Sequence, residues 1–215
     1  MCTVRPQGAP LNFASLAAAI HGQSGPRGRV LVGIDGPGGS GKSTLSRLLA
    51  PWLPGCSIVH TDDFFLPTHL RGQTETGLAP GFDLGRLWTQ VLEPANAGSP
   101  FRYQRYDWDS DELKEWIAAD ALTPVIVEGV YALQEQLRTA YTFTIFCTAD
   151  RATRLKRGVE RDGTVAQSQW EQVWMPAEER YAEREHPAEA ADLVVSSDAL
   201  STSREIQYVV LTCRV

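Results

Sequence analysis

Residues Arg29-Val30-Leu31-Val32-Gly33-Ile34-Asp35 run directly into Gly36-Pro37-Gly38-Gly39-Ser40-Gly41-Lys42-Ser43-Thr44. The first part is an apolar run of strand length, and the second matches G-x-x-x-x-G-K-[ST]. Glycines let such a segment curl until successive N–H groups point at phosphate oxygens. A helix starting near Lys42 adds the positive end of its dipole. In this pattern Lys42 reaches the β- and γ-phosphates, and the Ser43 hydroxyl ligates Mg²⁺. The bland alternative is a glycine-rich turn. It does not account for a buried strand that leads through the loop into a helix, which is the context phosphate binding requires. Gly36, Pro37, Gly38, Gly39, Ser40, Gly41, Lys42, Ser43 and Thr44 are therefore expected to hold the phosphates of ATP.

Outward from this loop, short apolar runs alternate with helical stretches. That pattern specifies an α/β fold with a doubly wound parallel sheet and helices on both faces. Strands are expected at 29–35, 56–60, 124–127, 143–147 and 191–195, giving a five-stranded core, with a final strand at 205–212. Helices are expected at 11–20, 42–53, 84–92 (ending before Pro94), 111–119 and 150–161. A further helix at 167–184 is interrupted near Pro176. Residues 65–82 read as a long loop, and 99–111 shows no clean period. The whole chain, 1–215, reads as one domain with a short helical lid at about 161–176.

The 215 residues are 43% hydrophobic, enough for a core, and carry a formal net charge of −6. The acidic balance counts against a nucleic-acid partner. No apolar run approaches membrane-spanning length, and no secretory leader is visible. The four cysteines, Cys2, Cys56, Cys147 and Cys213, form no zinc or C-x-x-C pattern, which suits a cytoplasmic setting. Cys56 and Cys147 read as small buried hydrophobes.

The second strand ends in His60-Thr61-Asp62-Asp63-Phe64-Phe65. Ligands bind at the carboxyl ends of strands in open α/β sheets. A carboxylate there can take the proton of an attacking hydroxyl. An Asp pair after a strand is also a common cap or turn. The strand ending in Val127-Glu128-Gly129 offers one acidic residue near a metal. The guanine-reading N-K-x-D and the Asp-Glu pair of motor ATPases are absent, against a GTPase switch or a motor.

In order along the chain, G-P-G-G-S-G-K-S-T, T-D-D-F-F, G-F-D, Y-D-W, V-I-V-E-G-V-Y and R-L-K-R-G-V-E-R-D resemble the family of P-loop small-molecule kinases that includes uridine kinase, phosphoribulokinase and bacterial pantothenate kinase. The resemblance spans about Val30 to Val195 and is closest to uridine kinase-like proteins. It implies a P-loop NTPase fold that transfers phosphate from ATP with Mg²⁺. It implies Asp62 as catalytic base and Ser43 and Glu128 around the metal. Asp83 would face ribose hydroxyls, and Tyr106 would lie near the base. Arg157 and Arg161 would contact phosphates, and Gln169 would lie on the substrate side. Two stretches differ from uridine kinases: no histidine or arginine follows Tyr106-Asp107-Trp108, and the lid carries no arginine between Arg161 and Trp170.

Other features read as structure. The acidic run Glu178, Glu179, Glu183 and Glu185 reads as a solvated helix face, Trp170 and Trp174 as lid packing, and His60 as the polar end of a strand. The aromatic segment 103–108 reads as the wall of a small-molecule pocket. The mix of carboxylates and arginines between Asp62 and Glu112 favours a neutral or cationic hydroxylated acceptor, with a nucleoside or riboside first. Pantothenate, glycerate or a sugar phosphate, and a non-catalytic ATP-binding module, remain as alternatives. Self-association into a homo-oligomer is left open.

Overall fold

A computed structural model of the chain describes residue 4 and residues 6–25, 28–71, 78–120, 123–200 and 206–215. In chain order its first elements are α1 (Phe13–Gly22), β1 (Leu31–Asp35), α2 (Lys42–Leu49), β2 (Ser57–His60), α3 (Leu84–Leu87) and α4 (Glu93–Asn96). Then come β3 (Phe101–Asp107), β4 (Glu112–Ala119), β5 (Val125–Glu128), α5 (Glu135–Arg138), β6 (Phe143–Thr148), α6 (Arg151–Asp162) and α7 (Gln167–Gln169). The chain closes with α8 (Met175–Glu185), α9 (Pro187–Ala190), β7 (Leu193–Leu200) and β8 (Ile206–Cys213).

The main sheet has six strands in the order β2-β5-β1-β6-β7-β8. The first five are mutually parallel, and β8 closes the edge antiparallel to β7. All five residues of β1 are buried, as a strand covered on both faces must be. Alternate side chains divide between two cores. Val32 and Ile34 pack with Leu16 and Ile20 of α1 and Leu45 and Leu49 of α2. Leu31, Val125 and Val127 pack with Phe64, Leu84, Leu87 and Tyr181 on the other face. The expected α/β architecture with five parallel strands is thus observed. No helix among the described residues is long and apolar enough to cross a membrane. Cys2, residues 72–77 of the expected loop and Glu205 of the expected last strand lie outside the described residues.

Three local expectations are corrected. Residues 111–119 are not a helix; β4 pairs antiparallel with β3 in a separate hairpin. The Glu, Leu, Lys and Ala of this stretch favour helix, but Phe101, Tyr103 and Tyr106 of β3 are buried and take a paired strand beside them. The turn is built by Asp107, whose Oδ1 accepts from the Ser110 N–H at 2.9 Å and its hydroxyl at 2.6 Å, and by Asp111 in the left-handed region (φ 56°). The helix at 84–92 does not end before Pro94, and the one at 167–184 is not broken at Pro176. Each chain path passes its proline through one wide turn, Trp88–Leu92 and Trp170–Trp174. There the Glu93 N–H reaches the Trp88 carbonyl, and the Met175 N–H reaches the Trp170 carbonyl. A proline clashes with the carbonyl four residues back and cannot donate to it. A wider turn just ahead of the proline re-aims those carbonyls and lets the helix continue.

Candidate active site

The phosphate loop leaves the central strand, as its sequence requires. Asp35 at the end of β1 is buried and accepts from the Gly36 N–H (2.5 Å), the Leu133 N–H (2.8 Å) and the Tyr181 hydroxyl (2.6 Å). It anchors the loop's root. The loop floor is held by the Cys147 thiol and the Ser197 hydroxyl, both donating to the Ser40 carbonyl at 2.8 Å. Burial pushes the Cys147 thiol up to about 12, so it stays a neutral donor. Gly41 opens α2, its carbonyl accepting from Tyr208 at 2.6 Å, and Thr44 follows in the first turn. The Lys42 side chain is buried and rests on the Pro37 carbonyl at 3.0 Å, a neutral acceptor that a phosphate oxygen would outcompete.

Beside the loop, β2 and β5 end in register, with His60 opposite Glu128. The Glu128 carboxylate is bonded by the His60 ring at 2.6 Å, and the Ser43 side chain lies beside it. Burial would raise its pKa, but His60, Lys42 and Ser43 together hold it below the usual glutamate value. The next turn, Thr61–Phe64, separates the two aspartates. Asp63 is buried and accepts from the Tyr103 hydroxyl at 2.9 Å, a structural role. The Asp62 carboxylate has no hydrogen-bond partner among the described residues, although its backbone carbonyl accepts from the Phe65 N–H. It is open to solvent on one side and crowded by protein on the others. That crowding raises its pKa above the ordinary aspartate value; the Glu128 charge adds to the rise, while Lys42, Arg161 and His60 oppose it.

Of the expected acceptor residues, Tyr106 belongs to one aromatic cluster and Asp83 follows directly on its Phe82. Phe65 bridges to Phe82 across an isolated strand pair, with rings 5.0 Å apart, and Tyr106 and Trp108 lie 5.7 and 4.8 Å from Phe65. Tyr106 donates to Asp111 at 2.6 Å and accepts from Arg71 at 3.0 Å. Asp83 caps α3, its Oδ1 accepting from the Arg86 N–H at 2.9 Å. Gln169 is exposed on α7, and the structure gives it no contact with this cluster.

On α6 the arginines differ in role. Arg157 is clamped between the phosphate loop and β7, donating to the Gly39 carbonyl (3.1 Å), the Ser197 hydroxyl (2.8 Å) and the Ser197 carbonyl (2.9 Å). Arg161 is exposed, forks onto Asp162 at 2.7 and 2.9 Å, and lies over the Trp170 ring. Arg154, unassigned from sequence, is buried and donates to Glu178 at 3.3 Å. Glu178 is not on a solvated face: it is buried, and its Oε1 accepts from the Gly38 N–H at 3.0 Å. Trp170 packs onto the loop as well as onto Trp174, because a Cβ at Gly38 would lie 2.7 Å from its ring.

Gly158 serves the same contact. It sits in mid-helix, where alanine would be worth about 1 kcal/mol more. A Cβ there would lie 2.4 Å from the Trp170 indole. Overpacking against a rigid ring costs about 1–3 kcal/mol. Gly158→Ala is thus expected to destabilise on balance and to speed amide exchange across residues 164–174. A variant more stable than the parent, with unchanged exchange, would remove the packing role assigned to Trp170.

No family model matches the chain. The uridine kinase of Staphylococcus epidermidis is 30% identical over 141 residues, which cover 61% of this chain and 68% of that one. The nicotinamide riboside kinase 2 of Homo sapiens is 46% identical over 65 residues, 30% of this chain and 25% of that one. The chain spans between 21% and 68% of the length of such curated relatives. A solved structure from Silicibacter sp. TM1040, provisionally named a fructose transport system kinase, superposes with TM-score 0.63 at 26% identity, over 80% of this chain and 95% of that one. With its phosphate loop and strand order in place, the chain belongs to the uridine kinase-like family of P-loop kinases.

Proposed function

We propose that the protein transfers the γ-phosphate of ATP to a hydroxyl of a nucleoside or related riboside. The observation that carries the reading is Asp62: a carboxylate without a hydrogen-bond partner among the described residues, just past a strand end and within the electrostatic reach of Lys42, Glu128 and Arg161. In this reading Asp62 takes the proton of the acceptor hydroxyl as the hydroxyl oxygen attacks phosphorus. Lys42 leaves the Pro37 carbonyl for the phosphates, and Arg161 faces the charge that develops on the transferred group. The adjacent Ser43 hydroxyl and Glu128 carboxylate are hard oxygen donors of the kind Mg²⁺ takes, directly or through its waters. The cation, when bound there, neutralises charge on the phosphates. Residues 161–176 form a lid that excludes water from the reaction. Arg157 sets the loop's shape through Gly39 and is assigned to positioning. Asp83 caps α3 with Oδ1 and pairs with the Arg86 guanidinium through Oδ2 at 3.5 Å, and in this reading Oδ2 also accepts from an acceptor hydroxyl.

The acceptor is argued from shape and charge. Phe65 and Trp108 stack, with Tyr106 edge-on to Trp108, and the 58% exposed Trp108 offers its open face to a planar ring in this reading. The similarity to uridine and nicotinamide riboside kinases supports a riboside acceptor. A coupled assay of ADP release with uridine, cytidine, nicotinamide riboside, pantothenate and glycerate tests this. Stimulation by at least one riboside, and by neither of the last two, is expected. Stimulation by pantothenate or glycerate alone overturns the acceptor class. Stimulation by none, with ATP bound, identifies a nucleotide-binding module without turnover.

A further inference from the structure

Glu128 is a buried carboxylate with several rotatable bonds, at a position where the direction of its oxygens decides what it can hold. Its surroundings do not leave that direction free. The parallel register of β2 and β5 puts His60 directly opposite it. The His60 Nδ1 lies 2.6 Å from Oε1. The Ser43 side chain, at the head of α2, lies beside the same carboxylate. Glu128 exposes 4% of its side chain, and His60 exposes 49%. The buried partner is therefore the acid, and the half-exposed one the imidazole. An ionised carboxylate only accepts, so the bonded ring nitrogen carries the proton.

We infer that His60 is a positioning residue that holds Glu128 in the orientation needed to share a divalent cation with Ser43. The inference rests on the metal site proposed above and assigns His60 no contact with the acceptor. Partners that orient metal-ligating carboxylates typically change metal affinity 10–100-fold when removed. A simple tie between two strand ends would instead affect folding stability alone. A donor at the Nδ1 position is the operative feature: asparagine places an N–H near that point, and alanine places none.

The test uses the full chain and Mn²⁺ as the probe, with free Mn²⁺ measured by electron paramagnetic resonance in the presence of saturating ADP. His60→Ala is expected to weaken Mn²⁺ binding to the protein–ADP complex at least about tenfold. His60→Asn is expected to recover most of that loss. ADP affinity without metal and the urea midpoint of His60→Asn should stay near the parent values. Should His60→Ala fail to fold, His60→Gln replaces it, because it moves the donor outward without emptying the position. Equal Mn²⁺ binding by parent, Ala (or Gln) and Asn proteins overturns the positioning role. So does a loss in which Asn is no better than Ala (or Gln). Because this measurement needs no acceptor, it succeeds or fails independently of the ADP-release screen. If the parent complex itself binds no Mn²⁺ beyond what free ADP takes, the metal site falls and the positioning role falls with it.

Discussion

Asp62→Asn is expected to lower turnover at least about a hundredfold while ATP affinity stays near the parent value. General-base catalysis contributes about 10²–10⁴ in rate, and asparagine keeps the shape of the side chain while losing its basicity. The fold gives no reason for a wider effect, since no hydrogen bond depends on the Asp62 carboxylate among the described residues. Stability should move the other way. The folded protein raises the pKa of Asp62, so its ionised form is disfavoured in the fold relative to the unfolded chain. That penalty is fully present above the raised pKa and vanishes below the unfolded value of about 3.9. Asp62→Asn should therefore be slightly more stable than the parent at pH 7, with the gap closing as the pH falls toward 4. Near-normal turnover in the variant would place the base elsewhere. A large loss of stability at pH 7 would show that Asp62 holds the loop together.

Gly36→Ala carries the largest expected effect on the fold. Gly36 has φ 148°, in a region open to glycine, and its missing Cβ would lie 1.9 Å from the Cys147 carbonyl oxygen. That oxygen belongs to β6, a central strand buried along most of its length, so it cannot give way as a flexible side chain would. Backbone strain of about 1–3 kcal/mol adds to overpacking of about 1–3 kcal/mol. The expected loss is about 3 kcal/mol or more, read as a lower urea midpoint with an unchanged slope. Nucleotide binding should fall too, because the clash sits at the first turn of the phosphate loop. A variant with the parent's midpoint would mean that β1 and β6 can separate at this point without penalty.

What the amino-acid order revealed was whatever a short segment states by itself. The phosphate loop, the five parallel strands and the Asp62 turn each carry their signal within about ten residues, and the structure places them as read. What stayed hidden depends on distant neighbours. The His60–Glu128 pair joins residues 68 apart and exists through strand register. Nothing around His60 in sequence announces it. Glu178 looked solvated because it stands in a run of charges, yet tertiary packing turns that one carboxylate onto Gly38. The β4 strand was misread because its residues favour helix. The cue lay next to it, in the Asp107-Trp108-Asp109-Ser110-Asp111 cluster that builds a tight turn. Arg157 and Arg161, alike on a helical wheel, were separated by their partners: one fixed in the scaffold, the other exposed at the cleft.

The wide turn at Trp170–Trp174 has a consequence in angular phase. Trp170 and Glu178 both reach Gly38 of the phosphate loop, and they are eight positions apart. On a regular α-helix, eight steps of about 100° would leave them about 80° out of line. A turn that absorbs one extra residue lowers the effective count to seven, and the misalignment falls to about 20°. Indole and carboxylate can then press on the same peptide. By the same arithmetic, regularising this turn without shortening the chain would rotate α8 by about 100° relative to Trp170. Either the indole or the carboxylate would then leave the loop, whereas deleting one residue from the turn would leave seven regular steps and keep the two aligned.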